Sequence, residues 1–236
     1  MAILEIRNVS SGYGEVQILW GVTLALENSK LTSLVGGNGV GKTTLLRTIM
    51  GSLKPWEGSV WFEDQDVSQA APYDKAEMGL ILVPEGRQLF TDMTVAENLE
   101  MGATPKRARP HIKRNFERIY EMFPRLKERE HQKAGTLSGG EQQMLAVGRG
   151  IMAEPKVLMI DELSLCLAPV LVLQLFDLLR QLKSLGMTLL LVEQNVHMAL
   201  VVSDYAFVLA QGRVELEGPS RVLAKNEHVR TAYLGL

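Results

Sequence analysis

The 236-residue chain has a single cysteine, Cys166, so no internal disulfide framework can staple it, and a reducing, cytosolic compartment is the expectation. Aromatic residues make up only 6%. No apolar run approaches the ~20 residues a membrane-spanning helix requires. The longest uncharged apolar stretch, Leu163 to Phe176, is 14 residues and is interrupted by Pro169. Nothing near the start reads as a basic-then-apolar secretion signal, so neither export nor membrane insertion is expected. An excess of charge is also missing: 25 Lys+Arg stand against 27 Asp+Glu, a net of −2. No nucleic-acid-binding module is legible, and nucleic acid is not an expected partner. The balance hides one local excess, because Thr104 to Lys133 carries ten Lys/Arg and four Glu. That stretch fits either a solvated helical face or a surface meeting anionic lipid or an acidic partner.

Short apolar runs predict strands at Ile3 to Ile6, Leu31 to Val35, Gly58 to Phe62, Leu80 to Val83, Val157 to Ile160, Thr188 to Val192 and Ala206 to Leu209. Helical patterns occupy Lys42 to Met50, Thr94 to Met101, Ile112 to Leu126, Gly139 to Met152, Val170 to Ser184 and Asn195 to Val202. Alternation of strand and helix predicts an α/β fold with a mainly parallel sheet covered by helices. The first 30 residues and Gly58 to Glu63 read as antiparallel strands, and Met93 to Gly150 is nearly all helical. The expected organisation is one domain, with a core of about 1–90 and 155–236 that includes an antiparallel β-subdomain. A helical subdomain of about 90–155 is inserted in it.

Gly36-Gly37-Asn38-Gly39-Val40-Gly41-Lys42-Thr43 fits G-x-x-x-x-G-K-[ST] between a predicted strand and a predicted helix, the context a phosphate-binding loop needs. Glycines let successive N–H groups turn inward around an anion, and the helix start adds partial positive charge. Lys42 would reach the β- and γ-phosphates, the Thr43 hydroxyl would ligate Mg²⁺, and Thr44 would join the loop in binding the nucleotide. A second element, Val157 to Glu162, delivers two carboxylates at the end of an apolar run. There Asp161 would hold the Mg²⁺ shell and Glu162 would orient and deprotonate the attacking water. These two motifs alone leave an ATPase, a GTPase and a small-molecule kinase open.

Leu137-Ser138-Gly139-Gly140-Glu141-Gln142-Gln143 reads as a capping box, Ser138 with Glu141 three residues on, opening a helix whose first turn is stripped of side chains. This stretch resembles the signature of ATP-binding-cassette ATPases, in which the signature serves a nucleotide held by the opposite subunit. The resemblance covers essentially the whole chain. Val83-Pro84-Glu85-Gly86-Arg87, Thr94 to Leu99, Phe123-Pro124-Arg125-Leu126, Leu191-Val192-Glu193-Gln194-Asn195 and Ala232-Tyr233-Leu234-Gly235 narrow it to the ATPase of branched-chain amino acid importers, the LivF type.

The resemblance implies a P-loop NTPase fold, ATP and Mg²⁺ as cofactors, and ATP-driven import of hydrophobic amino acids by a chain peripheral at the cytoplasmic face of the membrane. It implies as partners a second ATP-binding subunit, identical or related, transmembrane permease subunits and, indirectly, a periplasmic or extracellular binding protein. Tyr13 would stack on adenine. Glu85 replaces the family's usual Gln and would face Mg²⁺, water or a basic partner. Gln194 replaces the usual His and would hydrogen-bond the γ-phosphate without taking its proton. Leu163 stands where Pro is usual, and Cys166 where Gly is usual. Alternatives within reach are a urea, amide or lipid transporter ATPase and a soluble cassette outside transport.

Overall fold

The computed structural model describes residues 1–165 and 167–229; Cys166 and the Ala232-Tyr233-Leu234-Gly235 stretch lie outside the described residues. The first half of the chain forms β1 (Ala2–Tyr13), β2 (Val16–Glu27), β3 (Leu31–Val35), α1 (Lys42–Met50), β4 (Glu57–Phe62), β5 (Gln65–Asp66), α2 (Pro72–Met78) and β6 (Leu80–Val83). There follow α3 (Val95–Gly102), α4 (Ile112–Met122), α5 (Pro124–Glu128), α6 (Gly139–Met152), β7 (Val157–Asp161), α7 (Pro169–Ser184), β8 (Thr188–Glu193), α8 (Val196–Val202), β9 (Tyr205–Ala210) and β10 (Arg213–Pro219).

Two sheets result. The larger runs β10-β9-β3-β8-β7-β6 and is parallel apart from β10, which pairs antiparallel with β9. Every residue of β3, β7 and β8 is buried, and apart from Thr32, Ser33 and the strand-end residues Asp161, Thr188 and Glu193 their sequences are apolar, as a sheet covered on both faces demands. The smaller sheet, β2-β1-β4-β5, is antiparallel. Its strand β2 alternates exposed and buried from Val22 to Glu27, one face to water and one to the core. Helix α1 lies between the sheets, where Leu45, Leu46 and Ile49 share a core with Leu4, Ile6 and Leu19 on one side and Leu34, Leu190 and Val192 on the other. A second core joins the other face of the large sheet to α3 through α8.

The helix expected over Ile112 to Leu126 is two helices. Phe123 leaves helical geometry (φ −130°, ψ 72°), because the ring of Pro124 disfavours the α conformation in the residue before it. The antiparallel pair expected in the first 30 residues is β1 and β2, whereas strand β10 and helix α2 were beyond the sequence reading. β10 alternates Arg and Glu with apolar residues and reads as a polar loop, and α2 is a seven-residue element with one fully buried side chain, Lys75.

The basic stretch from Thr104 to Lys133 is not a uniformly solvated face. Arg107 turns inward, and its guanidinium donates to the carbonyls of Ala76 and Glu77 at the end of α2 and of Ala153 and Glu154 just past α6. Helix C-termini leave carbonyls without partners and carry partial negative charge, so one cation satisfies two helix ends at once. Arg114 and Arg129 are paired with Glu154 and Glu141. Removing the staple with Arg107→Ala should cost about 2–3 kcal/mol, a fall in Tm of roughly 4–12 °C, because each lost bond involves a charged donor. Arg107→Lys should recover less than half of that, since one ammonium cannot span both ends. Thermal unfolding within about 1 °C of wild type for Arg107→Ala would contradict the staple.

Candidate active site

In the large sheet, Val35 pairs with both Glu193 and Val208, and Asp161 pairs with Val192. Strands β3, β7 and β8 therefore end level, and the loops leaving their carboxyl ends open on one side, where open α/β sheets bind ligands. A cavity of about 370 Å³ lies there. The phosphate-loop residues Asn38, Gly39, Gly41, Lys42, Thr43 and Thr44 form one wall, and Glu85, Glu162 and Gln194 face them, with Ile18 and Leu165 at the apolar margin. A larger hollow of about 590 Å³ lies between the antiparallel sheet and β9, but it contains neither the loop nor the paired carboxylates.

The loop has little steric freedom. A Cβ on Gly36 would sit 2.3 Å from the carbonyl oxygen of Leu209, and Gly41 enters α1 at φ 110°, a conformation closed to side chains. Val40 packs beneath the loop, and its carbonyl accepts from Gly212 N–H at 3.0 Å. Lys42 is 6% exposed; its Nζ donates to the carbonyls of Gly36 and Gly37, each at 3.0 Å, and lies 3.4 Å from Glu162 Oε1. One cation thus holds the loop closed and anchors a carboxylate across the cavity. Glu162 itself sits at φ 52°, and its N–H donates to Val192 O at 2.9 Å. A non-glycine residue there is strained by roughly 1–2 kcal/mol. Leu163, in the position where Pro is usual, is buried in the core, so it secures the residue next to Glu162 from below.

Asp161 is the most perturbed carboxylate of the site. It is 2% exposed, and burial, followed by repulsion from Glu162 and Glu85, outweighs the bond from Thr43 and raises its pKa to about 6. Thr43 Oγ1 donates to its Oδ2 at 3.2 Å, while its Oδ1 is buried without any hydrogen-bond partner. A hydroxyl and an orphaned carboxylate oxygen, with Glu85 nearby, fit a hard cation that takes its other ligands from phosphate and water. Among the described residues no group of three His, Cys, Asp or Glu forms an all-protein metal cage.

The expected site residues divide into three groups. Lys42, Thr43, Thr44, Asn38, Gly39, Gly41, Glu85, Glu162 and Gln194 meet at the cavity, with Asp161 directly behind Thr43 and with Gly36, Gly37 and Val40 supporting the loop. Ser138, Gly139 and Gly140 are away from it. Ser138 caps α6, its hydroxyl accepting from Glu141 N–H while the Glu141 carboxylate takes the Ser138 N–H, and a Cβ on Gly140 would run into Leu171 at 2.3 Å. Tyr13 does not line the cavity; it is 40% exposed at the end of β1 and accepts from Arg47 Nη1 at 3.0 Å.

One residue in a supporting position was missed. Glu193, 1% exposed, accepts from both the N–H and the hydroxyl of Ser164 at 2.9 Å, and so pins the turn that carries Glu162. Burial raises its pKa. A carboxylate ending an apolar strand, as Asp161 ends β7, was the available signal.

The raised pKa of Asp161 has a measurable consequence. The folded chain holds this proton more tightly than the unfolded chain, so the group's cost to stability grows as pH climbs from 3.8 to about 6 and is constant above that. Asp161→Asn removes the cost. In urea unfolding without nucleotide the variant should be more stable than wild type by about 3 kcal/mol at pH 7.5, and the gain should vanish toward pH 4. A difference independent of pH would contradict this.

Comparison with known proteins places the chain. The family model described as ABC transporter matches residues 19–164. The chain is 42% identical over 235 residues to the high-affinity branched-chain amino acid transport ATP-binding protein BraG of Pseudomonas aeruginosa, covering 99% of this chain and 100% of that protein. It is 34% identical to the probable branched-chain amino acid transport ATP-binding protein LivF of Archaeoglobus fulgidus, covering 99% of each. An ATP-binding cassette of an ABC transporter solved in its ADP conformation superimposes with a TM-score of 0.84 at 28% identity, covering 100% of both chains. The chain belongs to the ABC transporter family, as one of its ATP-binding ATPase subunits.

Proposed function

We propose that this ATPase powers import of branched-chain and other hydrophobic amino acids, as a peripheral subunit at the cytoplasmic face of the membrane. The observation that carries the chemistry is the meeting of Lys42, Thr43, Glu85, Glu162 and Gln194 around one cavity with Asp161 behind it. The relatives' transport of branched-chain amino acids supports the substrate class. Among the described residues no helix is long and apolar enough to cross a membrane, so the substrate path belongs to separate permease subunits. A periplasmic or extracellular binding protein would feed that path.

The loop N–H groups and Lys42 bind the phosphates of ATP, and Thr43, Asp161 and Glu85 would hold Mg²⁺. Mg²⁺ held there would supply positive charge against the phosphates of ATP. Glu162, fixed by Lys42 and by its own N–H, orients a water in line with the γ-phosphate and accepts its proton. Gln194 donates its amide N–H to the γ-phosphate. Ser138, Gly139 and Gly140 do not line this cavity, and Ser138 and Gly139 are exposed, so this turn is available to close on the nucleotide of a second ATP-binding subunit, identical or paralogous. Leu165, Val170 and Leu173 are exposed apolar residues on the turn and helix next to Leu171, which packs on Gly140, and they suit burial in that contact. A groove of about 490 Å³ lined by Tyr73, Leu82, Pro84, Phe90 and Met101 lies beside the Glu85 loop and suits a helix of the permease.

Two measurements test this reading. Glu162→Gln should lower kcat for ATP hydrolysis by about 10²–10⁴ while nucleotide affinity stays within about threefold. Turnover retained in that variant would remove Glu162 from the role of base. The pH–rate profile of wild type should show no limb near pH ~6.5 that arises from a switch histidine, because the switch position is an amide and not an imidazole. A limb there that disappears in His197→Gln would transfer the role to His197, which is exposed at the start of α8.

A further inference from the structure

The turn that carries Glu85 from β6 toward α3 does more than line the cavity. Arg87 and Gln88 both adopt left-handed conformations, at φ 66° and φ 42°. Two successive non-glycine residues in that region persist only when the surroundings hold them. What holds Arg87 is α6. Its Nη1 donates to Gln142 Oε1 at 2.8 Å and its Nε to Gln143 Oε1 at 3.3 Å, and its guanidinium lies 3.3 Å from where a Cβ on Gly139 would be.

The main chain is tied to the same helix. Arg149 of α6 donates to the Arg87 carbonyl at 3.1 Å and stacks over the ring of Phe90. Asn98 of α3 clamps the backbone N–H and carbonyl of Phe90. The loop is thus fastened at one end to the helical layer and at the other, through Glu85, to the cavity.

Stabilisation of α6 does not explain the contact. A guanidinium against the first turn of a helix opposes the macrodipole, and the acceptors it meets there are amide oxygens and not carboxylates. What the contact does achieve is geometric. The planar fork of Arg87 spans two adjacent side chains of the very turn that presents Ser138, Gly139 and Gly140. We propose that Arg87 is a positioning residue that makes the Glu85 loop and the signature turn move as one body, so that nucleotide in one cavity sets the orientation of the turn that completes the opposite cavity. This rests on the reading above that the signature turn closes on the nucleotide of a second subunit.

The test uses the full-length chain and three variants, Arg87→Ala, Gln142→Ala and the double variant, measuring ATP turnover, affinity for a fluorescent ATP analogue and Tm. Each single variant should lower kcat about 5–20-fold, leave the analogue's Kd within about twofold and leave Tm within about 3 °C. The double variant should be no slower than the worse single one, because both remove the same link. Arg87→Lys should resemble Arg87→Ala, since an ammonium cannot span both acceptors. Variants that hydrolyse ATP at the wild-type rate, or whose losses multiply in the double variant, would overturn the link, as would a rate loss accounted for by a large fall in Tm. A wild-type chain that binds but does not hydrolyse ATP would overturn the reading beneath it and the link together.

Discussion

The lysine ammonium of Lys42 is the contact on which the site turns. It bonds the carbonyls of Gly36 and Gly37 and lies within salt-bridge distance of Glu162, so a single buried cation ties the end of β3 to the end of β7. That geometry exists only because β3, β8 and β7 are parallel and in a register that ends them together, with Val35 beside Glu193 and Asp161 beside Val192. A slip of one residue would turn every side chain of a strand to the other face. Both faces of these strands are buried, so the terminal carboxylates resist the slip: it would carry Asp161 or Glu193 from the sheet end into the apolar layer.

Electrostatics then give the site its character. Asp161, Glu162 and Glu85 meet at this sheet end with Lys42 paired to Glu162, and burial first, then repulsion from Glu162 and Glu85, pushes the pKa of Asp161 up to about 6. The carboxylates at this sheet end are held by solid packing: Leu163 is buried in the core and Ser164 is bonded twice by Glu193. The protein's own groups supply too little positive charge for the acids they assemble. In the proposed function Mg²⁺ would supply the counter-charge, while the glycine loop and the start of α1 would receive the phosphates. The helical layer is joined to this core by arginines, Arg107 at the C-terminal ends of α2 and α6 and Arg87 at the first turn of α6.

Much of this was legible in the residues. Lys42, Thr43, Asp161 and Glu162 are bound to fixed strand-to-loop contexts, and an apolar run before a glycine loop or an acidic pair can be read without coordinates. Ser138 with Glu141 announced a helix cap, and both halves of the capping box are present. What escaped is long-range or locally ambiguous. Glu193 looked like the end of a strand because its partner, Ser164, is 29 residues away. Arg107 sat in a basic stretch whose net charge suggested a surface, yet its guanidinium is spent on carbonyls of two distant helices. The break at Phe123 was signalled by Pro124 and overridden by the helical period on either side. Tyr13 carried an adenine-stacking expectation that rests on resemblance alone, and its hydroxyl is engaged with Arg47.

The central claim is that the paired carboxylates at the end of β7 are built to share a cation with the phosphates of ATP. Equilibrium binding of a non-hydrolysable ATP analogue to the full-length chain, in Mg²⁺ and in EDTA, tests it most directly. The account predicts binding at least about tenfold tighter with Mg²⁺, a difference of roughly 1.4 kcal/mol, and loss of that difference in Asp161→Asn. Equal affinity of wild type with and without Mg²⁺ would contradict it.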